Sequence, residues 1–200
     1  MTKRFMDSAT LDKALILLEA RLRQARAEPQ QIVVCGGAAL ILTGMVPRTT
    51  SDVDIVALMR AGTLLSPDPL PTSLEIAAKE VADLTGMDPA WLNNLPGRGE
   101  GGLYQMGLPE GFVDRLQRKD YGTHLTVWVI SRLDQIHFKL YAAIDRGGYH
   151  VEDLRALAPT TDELLAAARW CVTHDVSPEF RELLGSFLKE FGHGEVAERF

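Results

Sequence analysis

The stretch VVCGGAALILTGMVPRTTSDVDIV, residues 33–56, decides the fold of this chain and carries its candidate chemistry. A short apolar strand runs into Gly36 and Gly37, a small apolar helix follows, and a second strand carries Asp52 and Asp54. Alternate side chains of a strand project from the same face, so the two carboxylates are predicted to lie together. They repel each other unless a cation lies between them. Oxygen ligands on a rigid strand suit Mg²⁺, so the sequence predicts a metal site here.

The two glycines predict a phosphate site beside these carboxylates. Gly36 and Gly37 have no side chains, so a ligand can approach the backbone closely. Their N–H groups at the start of a helix favour an anion. Arg48 is a candidate ligand for phosphate, and the hydroxyls of Thr50 and Ser51 can bond the backbone or a ribose. The alternative interpretation is an ordinary turn followed by a solvated pair of Asp side chains.

The order of these features resembles the nucleotidyltransferase superfamily, which is polymerase-β-like. The resemblance rests on the apolar strand, Gly36-Gly37, the short helix and the pattern R-x-T-x-D-x-D over residues 48–54. It is closest to the bacterial families that include the AbiEii-type toxins and relatives of unassigned function. The resemblance implies that the glycines hold a nucleoside triphosphate and that Asp52 and Asp54 bind Mg²⁺ or Mn²⁺. It also implies a toxin–antitoxin or phage-defence setting, with a cognate antitoxin or other partner protein.

A second segment, residues 134–157, resembles the same AbiEii-type neighbourhood. It carries a Lys-Leu-x-Ala run at residues 139–142, a glycine-rich turn, and an Asp-Leu pair that begins at Asp153. By this resemblance Lys139 contacts the triphosphate and Asp153 supports the nucleotide site. A compact ammonium charge suits phosphate. The alternative is that Lys139 extends along apolar surface to reach water.

The pattern departs from the superfamily at the third carboxylate, which active members usually carry on a later strand of the same sheet. The best later strand, HLTVWVI over residues 124–130, is rich in β-branched and aromatic residues. It carries Thr126 and no acid. Asp114 and Asp120 are the nearest candidates, and Asp114 qualifies only if residues 111–116 form a strand.

The middle of the chain predicts a helix start and a long loop. Asp88 is placed as a helix cap, with Pro89 at the first helical position. The adjoining residues 91–94, WLNN, are similar to sequences in the families of unassigned function. The glycine-rich residues 97–107 predict an irregular loop, either a lid over the nucleotide or a plain surface excursion.

Composition limits the remaining possibilities. Hydrophobic residues make up 46% and charged residues 24% of the 200, which is typical of a globular protein with a real core. The net charge of −6 gives no overall attraction to nucleic acid. The longest apolar run, residues 38–42, is too short to span a bilayer. With no apolar signal segment at the N-terminus and no cysteine pattern, a cytoplasmic protein without a membrane partner is expected.

These observations predict an α/β (α+β) fold, with a small mixed sheet flanked by helices and a helical C-terminal part. Residues 1–130 are predicted to form the nucleotidyltransferase-like core, and residues 131–200 to pack on it as one structural unit. The predicted function is metal-dependent transfer of a nucleotidyl group from a nucleoside triphosphate to a protein, tRNA or small-molecule acceptor. Asp52, Asp54 and Lys139 are its candidate catalytic residues. The alternative is a catalytically impaired protein that binds a nucleotide or a partner.

Overall fold

One mixed β-sheet is the frame of the fold in the computed structural model, which describes residues 5–200. The strands in these residues are β1 (Gln30–Cys35), β2 (Val53–Arg60), β3 (Thr63–Leu65), β4 (Leu92–Asn93), β5 (Gln117–Asp120) and β6 (Leu125–Val129). The helices are α1 (Ser8–Gln24), α2 (Gly36–Leu42), α3 (Thr72–Thr85), α4 (Leu103–Met106), α5 (Arg132–Arg146), α6 (Tyr149–Ala156), α7 (Thr161–His174), α8 (Pro178–Glu190) and α9 (Gly194–Ala197). The predicted class, a small mixed α/β sheet with flanking helices and a helical C-terminal part, is confirmed.

The chain divides into two units, Met1–Ile130 and Ser131–Phe200. The strands named above and helices α1 to α4 belong to the first unit, and helices α5 to α9 belong to the second. The packing of residues 131–200 on the first unit stays a prediction.

The strand order is β3-β2-β1-β6-β5, and β4 pairs with the first residues of β2. β1 is antiparallel to β2 and parallel to β6, while β4 runs parallel to β2. Ile32, Val33 and Val34 of β1 are fully buried, which is the continuous apolar run of a strand covered on both faces. The strand predicted over residues 124–130 is confirmed as β6.

A β-bulge interrupts the pairing of the two strands that lead to the candidate site. Val33 pairs with Ala57 and Val34 pairs with Ile55, so Val56 is the extra residue of β2. The bulge increases the local twist and bends the bulged strand. Beyond it the pairing resumes with Cys35 opposite Asp54, which places this carboxylate beside the end of β1.

Helix α1 supplies the apolar layer that packs against α3 and the sheet. Its stripe of four leucines is fully buried, which matches the helical spacing of apolar residues in the sequence. The helix begins after Asp7, whose side chain accepts a hydrogen bond from the Thr10 N–H at 2.8 Å. A capping carboxylate of this kind satisfies one of the unpaired N–H groups at a helix start.

The helix predicted to begin at Asp88 is wrong. Asp88 Oδ1 accepts a hydrogen bond from the Ala90 N–H at 2.8 Å, and the chain then enters the short strand β4. The indole of Trp91 is fully buried, and its Nε1 donates to the Ala78 carbonyl of α3 at 2.9 Å. Burial of this large ring outweighs the local preference of the Asp-Pro pair for a helix start.

Residues 97–107, predicted as an irregular loop, contain the short helix α4 and are bonded to β3 and to the proline-rich segment that follows it. Gly99 N–H donates to Asp68 Oδ2 at 3.1 Å, and the Tyr104 hydroxyl donates to the Leu64 carbonyl at 3.1 Å. A Cβ atom on Gly97 would lie 2.6 Å from the Val56 carbonyl oxygen, so the loop also packs directly on β2. Residues 97–104 are therefore held against β2, β3 and Asp68.

The second unit is helical, with α5 packed against α6, α7 and α8. Ser131 caps α5 by accepting a hydrogen bond from the Asp134 N–H at 3.2 Å. Arg132 donates to both carboxylate oxygens of Glu163 and to the Leu157 carbonyl. This guanidinium therefore joins the end of α6 to the start of α7. In the described residues, no helix is long and apolar enough to cross a membrane.

Candidate functional site

The candidate site lies where β1 ends and α2 begins. Gly36 takes a left-handed backbone conformation with φ of +67°, which glycine adopts without the penalty of a Cβ atom. A Cβ atom at this position would lie 2.7 Å from Asp54 Oδ2. The carboxylate of Asp54 therefore lies directly against the backbone of Gly36, and a larger residue would displace it.

Gly37 makes the second close approach, toward the segment that precedes β2. A Cβ atom on Gly37 would lie 2.6 Å from Thr50 Oγ1 and 3.5 Å from Arg48 Cζ. The structure thus brings both glycines, Arg48, Thr50 and Asp54 together, as the predicted site requires. The absence of side chains at the two glycines is what permits this approach.

Asp52 lies directly before β2, which begins at Val53, and not on the strand as predicted. Its carboxylate is oriented by two neighbouring hydroxyl groups. Thr50 Oγ1 donates to Asp52 Oδ1 at 3.2 Å, and Ser51 Oγ donates to Asp52 Oδ2 at 3.0 Å. Thr50 is itself buried, and its backbone exchanges two hydrogen bonds with Met6 at 2.7 and 3.0 Å. Asp52 and Asp54 are both half-buried, so they remain accessible from solvent.

The donor set of these two residues fits a small divalent cation. Asp52 and Asp54 offer oxygen atoms alone, which are the ligands that Mg²⁺ and Mn²⁺ prefer. Among residues 5–200, no group of three or more His, Cys, Asp or Glu side chains is placed to hold a metal ion. Two carboxylates are nevertheless what Mg²⁺ usually takes from a protein when substrate phosphates complete its coordination.

Neither candidate for a third carboxylate joins this pair. Asp114 lies exposed in a short 3₁₀ turn, Val113–Arg115, and not on a strand. Asp120 ends β5, where its Oδ1 accepts hydrogen bonds from Thr126 Oγ1 at 2.8 Å and Arg118 Nε at 3.0 Å. These two donors hold the pKa of the Asp120 carboxyl below its ordinary value.

The sheet register places Asp120 far from the pair. Asp120 pairs with Thr126 of β6, and Thr126 pairs with Gln31 of β1. Gln31 lies four residues before Cys35, which pairs with Asp54. Four residues of a strand span about 13 Å, and three strand spacings separate β5 from β2. Asp120 is therefore not a neighbour of the Asp54 carboxylate.

Lys139 and Asp153 are brought together in the second unit. Lys139 Nζ lies 2.7 Å from Asp153 Oδ2, and the two side chains are only 4% and 7% exposed. The ring of Tyr149 lies over the ammonium, with 5.6 Å between Nζ and the ring centroid. The alternative in which Lys139 reaches water is wrong, because its ammonium group is buried in an ion pair.

Sequence reasoning gave no role to Asn93, which lies beside the predicted carboxylates. β4 is parallel to β2, and its register places Asn93 next to Asp54. A two-residue strand leaves no periodic signal in the sequence, so its pairing with β2 is not predictable from pattern. The available signal is Trp91, a large apolar residue that anchors this segment to the core.

Comparison of the chain with protein-family models, with curated proteins and with solved structures finds no match. The resemblance to nucleotidyltransferases therefore rests on the residues themselves. The geometry of Gly36, Gly37, Thr50, Asp52 and Asp54 is the observation from which a function can be argued.

Proposed function

We propose that this chain is a metal-dependent nucleotidyltransferase of the AbiEii-like type. The observation that carries the proposal is the close approach of Gly36 and Gly37 to the segment that bears Asp52 and Asp54. A Cβ atom on either glycine would fall within 2.7 Å of a side-chain oxygen of Asp54 or Thr50. A backbone without side chains beside two carboxylates suits a triphosphate and the cation that accompanies it.

In this proposal Asp52 and Asp54 hold Mg²⁺ or Mn²⁺. The cation, when bound, would stabilise charge on the phosphates and activate the attacking hydroxyl of the acceptor. The hydroxyls of Thr50 and Ser51 keep the Asp52 carboxylate oriented before the ligand binds. A carboxylate that is already oriented loses less conformational entropy when it binds the cation, so these two hydrogen bonds favour the affinity for the cation.

Positive charge for the phosphates would come from Arg48. The Arg48 guanidinium lies beside Gly37, where a planar group with several donors suits phosphate oxygens. Lys139 is assigned to the triphosphate by the resemblance, with Asp153 as the group that fixes it. The buried ion pair of these two residues gives Lys139 a defined position within its own unit.

The setting of the activity is also a proposal. The acceptor is a protein side chain, a tRNA end or a small molecule, and the chain acts in the cytoplasm. We base a toxin–antitoxin or phage-defence role on the AbiEii-type resemblance, by analogy with that family. Such a role would include a cognate antitoxin or another partner protein. Fold alone does not fix function, so each of these assignments depends on the site chemistry.

A second candidate function is a nucleotide-binding or partner-binding protein without transferase activity. It is favoured by the metal-ligand geometry: in the part of the chain that the structure describes, no third acid joins Asp52 and Asp54. Such a protein binds the triphosphate with its cation but transfers nothing. Binding without transfer is the result that separates this candidate from the enzyme.

Label transfer tests the proposal. The full chain is incubated with cell extract, Mg²⁺ or Mn²⁺, and each nucleoside triphosphate labelled at either the α- or the γ-phosphate. Nucleotidyl transfer predicts that the α-label alone enters the acceptor and that the variant Asp52→Asn/Asp54→Asn transfers none. Asp114→Asn is the matched control, because it removes an exposed carboxylate outside the site. Transfer of the γ-label, or equal transfer by the double variant, contradicts the proposal.

A further inference from the structure

Asn93 is the neighbour of Asp54 on the side of β2 that faces away from β1. In β2, Asp54 lies between Cys35 of β1 and Asn93 of β4, each paired with it in register. Residues paired across neighbouring strands project from the same face and lie about 5 Å apart. The carboxylate of Asp54 therefore has the Gly36 backbone on one side and the Asn93 side chain on the other.

Several contacts hold β4 in this register. The Val53 N–H donates to the Trp91 carbonyl at 2.6 Å, directly before the paired residues. Trp91 is fully buried and bonded to the Ala78 carbonyl. On the far side, Asn94 Nδ2 donates to the Pro67 carbonyl at 2.9 Å. Asn93 is thus placed by a fixed segment of backbone, although it lies on a strand of two residues.

The orientation of the Asn93 amide follows from its hydrogen bond. Its Oδ1 accepts from the Leu95 N–H at 3.0 Å, which assigns the oxygen to the side of the following turn. The NH₂ group is then the part of the amide that Asn93 offers to a ligand, and it carries two donors. A donor suits an anionic oxygen and does not bind a cation.

We infer that Asn93 belongs to the site and that it binds a phosphate oxygen of the metal-bound nucleotide. This inference rests on the proposed function and names a residue that it does not use. Asn93 occupies, on the strand next to Asp54, a place where an acid would complete a group of three carboxylates. With an amide there, the site gains a hydrogen-bond donor for the triphosphate and keeps only two carboxylates for the cation.

The variant Asn93→Asp separates these two roles. Aspartate has nearly the same shape and keeps an acceptor for the Leu95 N–H, so the local turn is retained. It replaces the NH₂ donor with a carboxylate beside Asp54. A third acid should raise the affinity for Mn²⁺ alone by about tenfold, because carboxylate count sets the affinity of hard cations. Gln117→Glu is the control, since it adds one negative charge at an exposed position of β5 and leaves the contacts of β4 intact.

The variant Asn93→Ala tests the donor. Mg²⁺–tripolyphosphate is the probe, because it carries the phosphates without a base or a ribose. Loss of one hydrogen bond to a charged oxygen should weaken binding by about tenfold or more. The affinity for Mg²⁺–ATP should fall by the same factor. If Asn93 instead contacted the ribose, only the affinity for ATP would fall.

Calorimetry of the full chain and its variants decides between the outcomes, with circular dichroism to confirm that each variant is folded. The inference is supported if Asn93→Asp alone gains Mn²⁺ affinity and Asn93→Ala loses affinity for both phosphate ligands. It is overturned if the wild-type chain binds these ligands and Asn93→Ala binds them equally well, or if Asn93→Asp and Gln117→Glu behave alike. If the wild-type chain binds neither phosphate ligand, the proposed function itself fails and the inference fails with it.

Discussion

The contact of Gly36 with the Asp54 carboxylate can be tested by adding a single methyl group. Gly36 and Gly44 have nearly the same positive φ, +67° and +66°. A Cβ atom on Gly36 would lie 2.7 Å from Asp54 Oδ2, whereas one on Gly44 would have nothing within 4 Å. Gly44→Ala therefore measures the cost of the left-handed conformation by itself, and Gly36→Ala measures that cost plus the contact with Asp54.

The two costs can be estimated separately. Alanine in the left-handed region costs about 1–2 kcal/mol, so Gly44→Ala should lower the free energy of unfolding by that amount. Forcing an extra methyl group into a packed position costs a further ~1–3 kcal/mol. Gly36→Ala should therefore destabilise the chain by about 2–5 kcal/mol in total.

Urea denaturation of the full chain, followed by circular dichroism, measures both variants. With a slope of about 2 kcal/mol per molar urea, Gly44→Ala should shift the midpoint by about 0.5–1 M. Gly36→Ala should shift it by clearly more. Equal shifts would refute the reasoning, because they would mean that the carboxylate of Asp54 does not lie against the Gly36 backbone.

Two further predictions concern the second unit. Lys139→Met should destabilise the chain by about 3–5 kcal/mol, because it leaves the Asp153 carboxylate buried without its partner. Lys139→Met combined with Asp153→Leu should recover much of that loss in the same urea assay; no recovery would contradict a buried ion pair. Burial acts to raise the pKa of Glu163, but hydrogen bonds from Arg132 and Thr160 outweigh it, so the pKa lies below the ordinary value of 4.5. The ionised carboxylate therefore stabilises the fold fully above pH 4.5, and this contribution is lost as pH falls through the lowered pKa. Glu163→Gln should flatten the acid-side decline of stability measured by thermal denaturation, and an unchanged slope would contradict the assignment.

The core of the candidate site was predictable because its signals are local. The apolar run into Gly36-Gly37 and the alternation of Asp52 and Asp54 with Val53 are periodic features of short segments. They predict a strand that leads into the glycines and a strand that carries Asp54, but β2 begins at Val53, so Asp52 precedes the strand on which it was predicted to lie. The bulge at Val56 was not predictable, because it depends on how the two strands pair.

The segment that carries Asn93 shows where local reasoning fails. Asp88 and Pro89 favour a helix start by their own preferences, yet the chain forms a turn and a two-residue strand. The decisive contacts are tertiary: Trp91 is buried against α3 and bonded to β2 through its carbonyl. No pattern within the segment reports these contacts, and the neighbour of Asp54 is found only from the register of the sheet.

Lys139 and Asp153 were predictable only in part. Both residues were assigned to the nucleotide site through the family resemblance, and the structure places the two charges 2.7 Å apart. Their burial was not predicted, because the apolar stripe of α5 gives no sign of how deeply a flanking lysine is covered. That depth depends on the packing of α6 against α5.

The central claim is that Asp52, Asp54 and the two glycines bind a cation and a triphosphate together. The most direct test is calorimetric titration of the full chain with each nucleoside triphosphate and with tripolyphosphate, in the presence and absence of Mg²⁺. The account predicts binding that requires Mg²⁺ and is lost in Asp54→Asn. Binding that is equal in Asp54→Asn, or no binding of any of these ligands at high micromolar concentration, would contradict it.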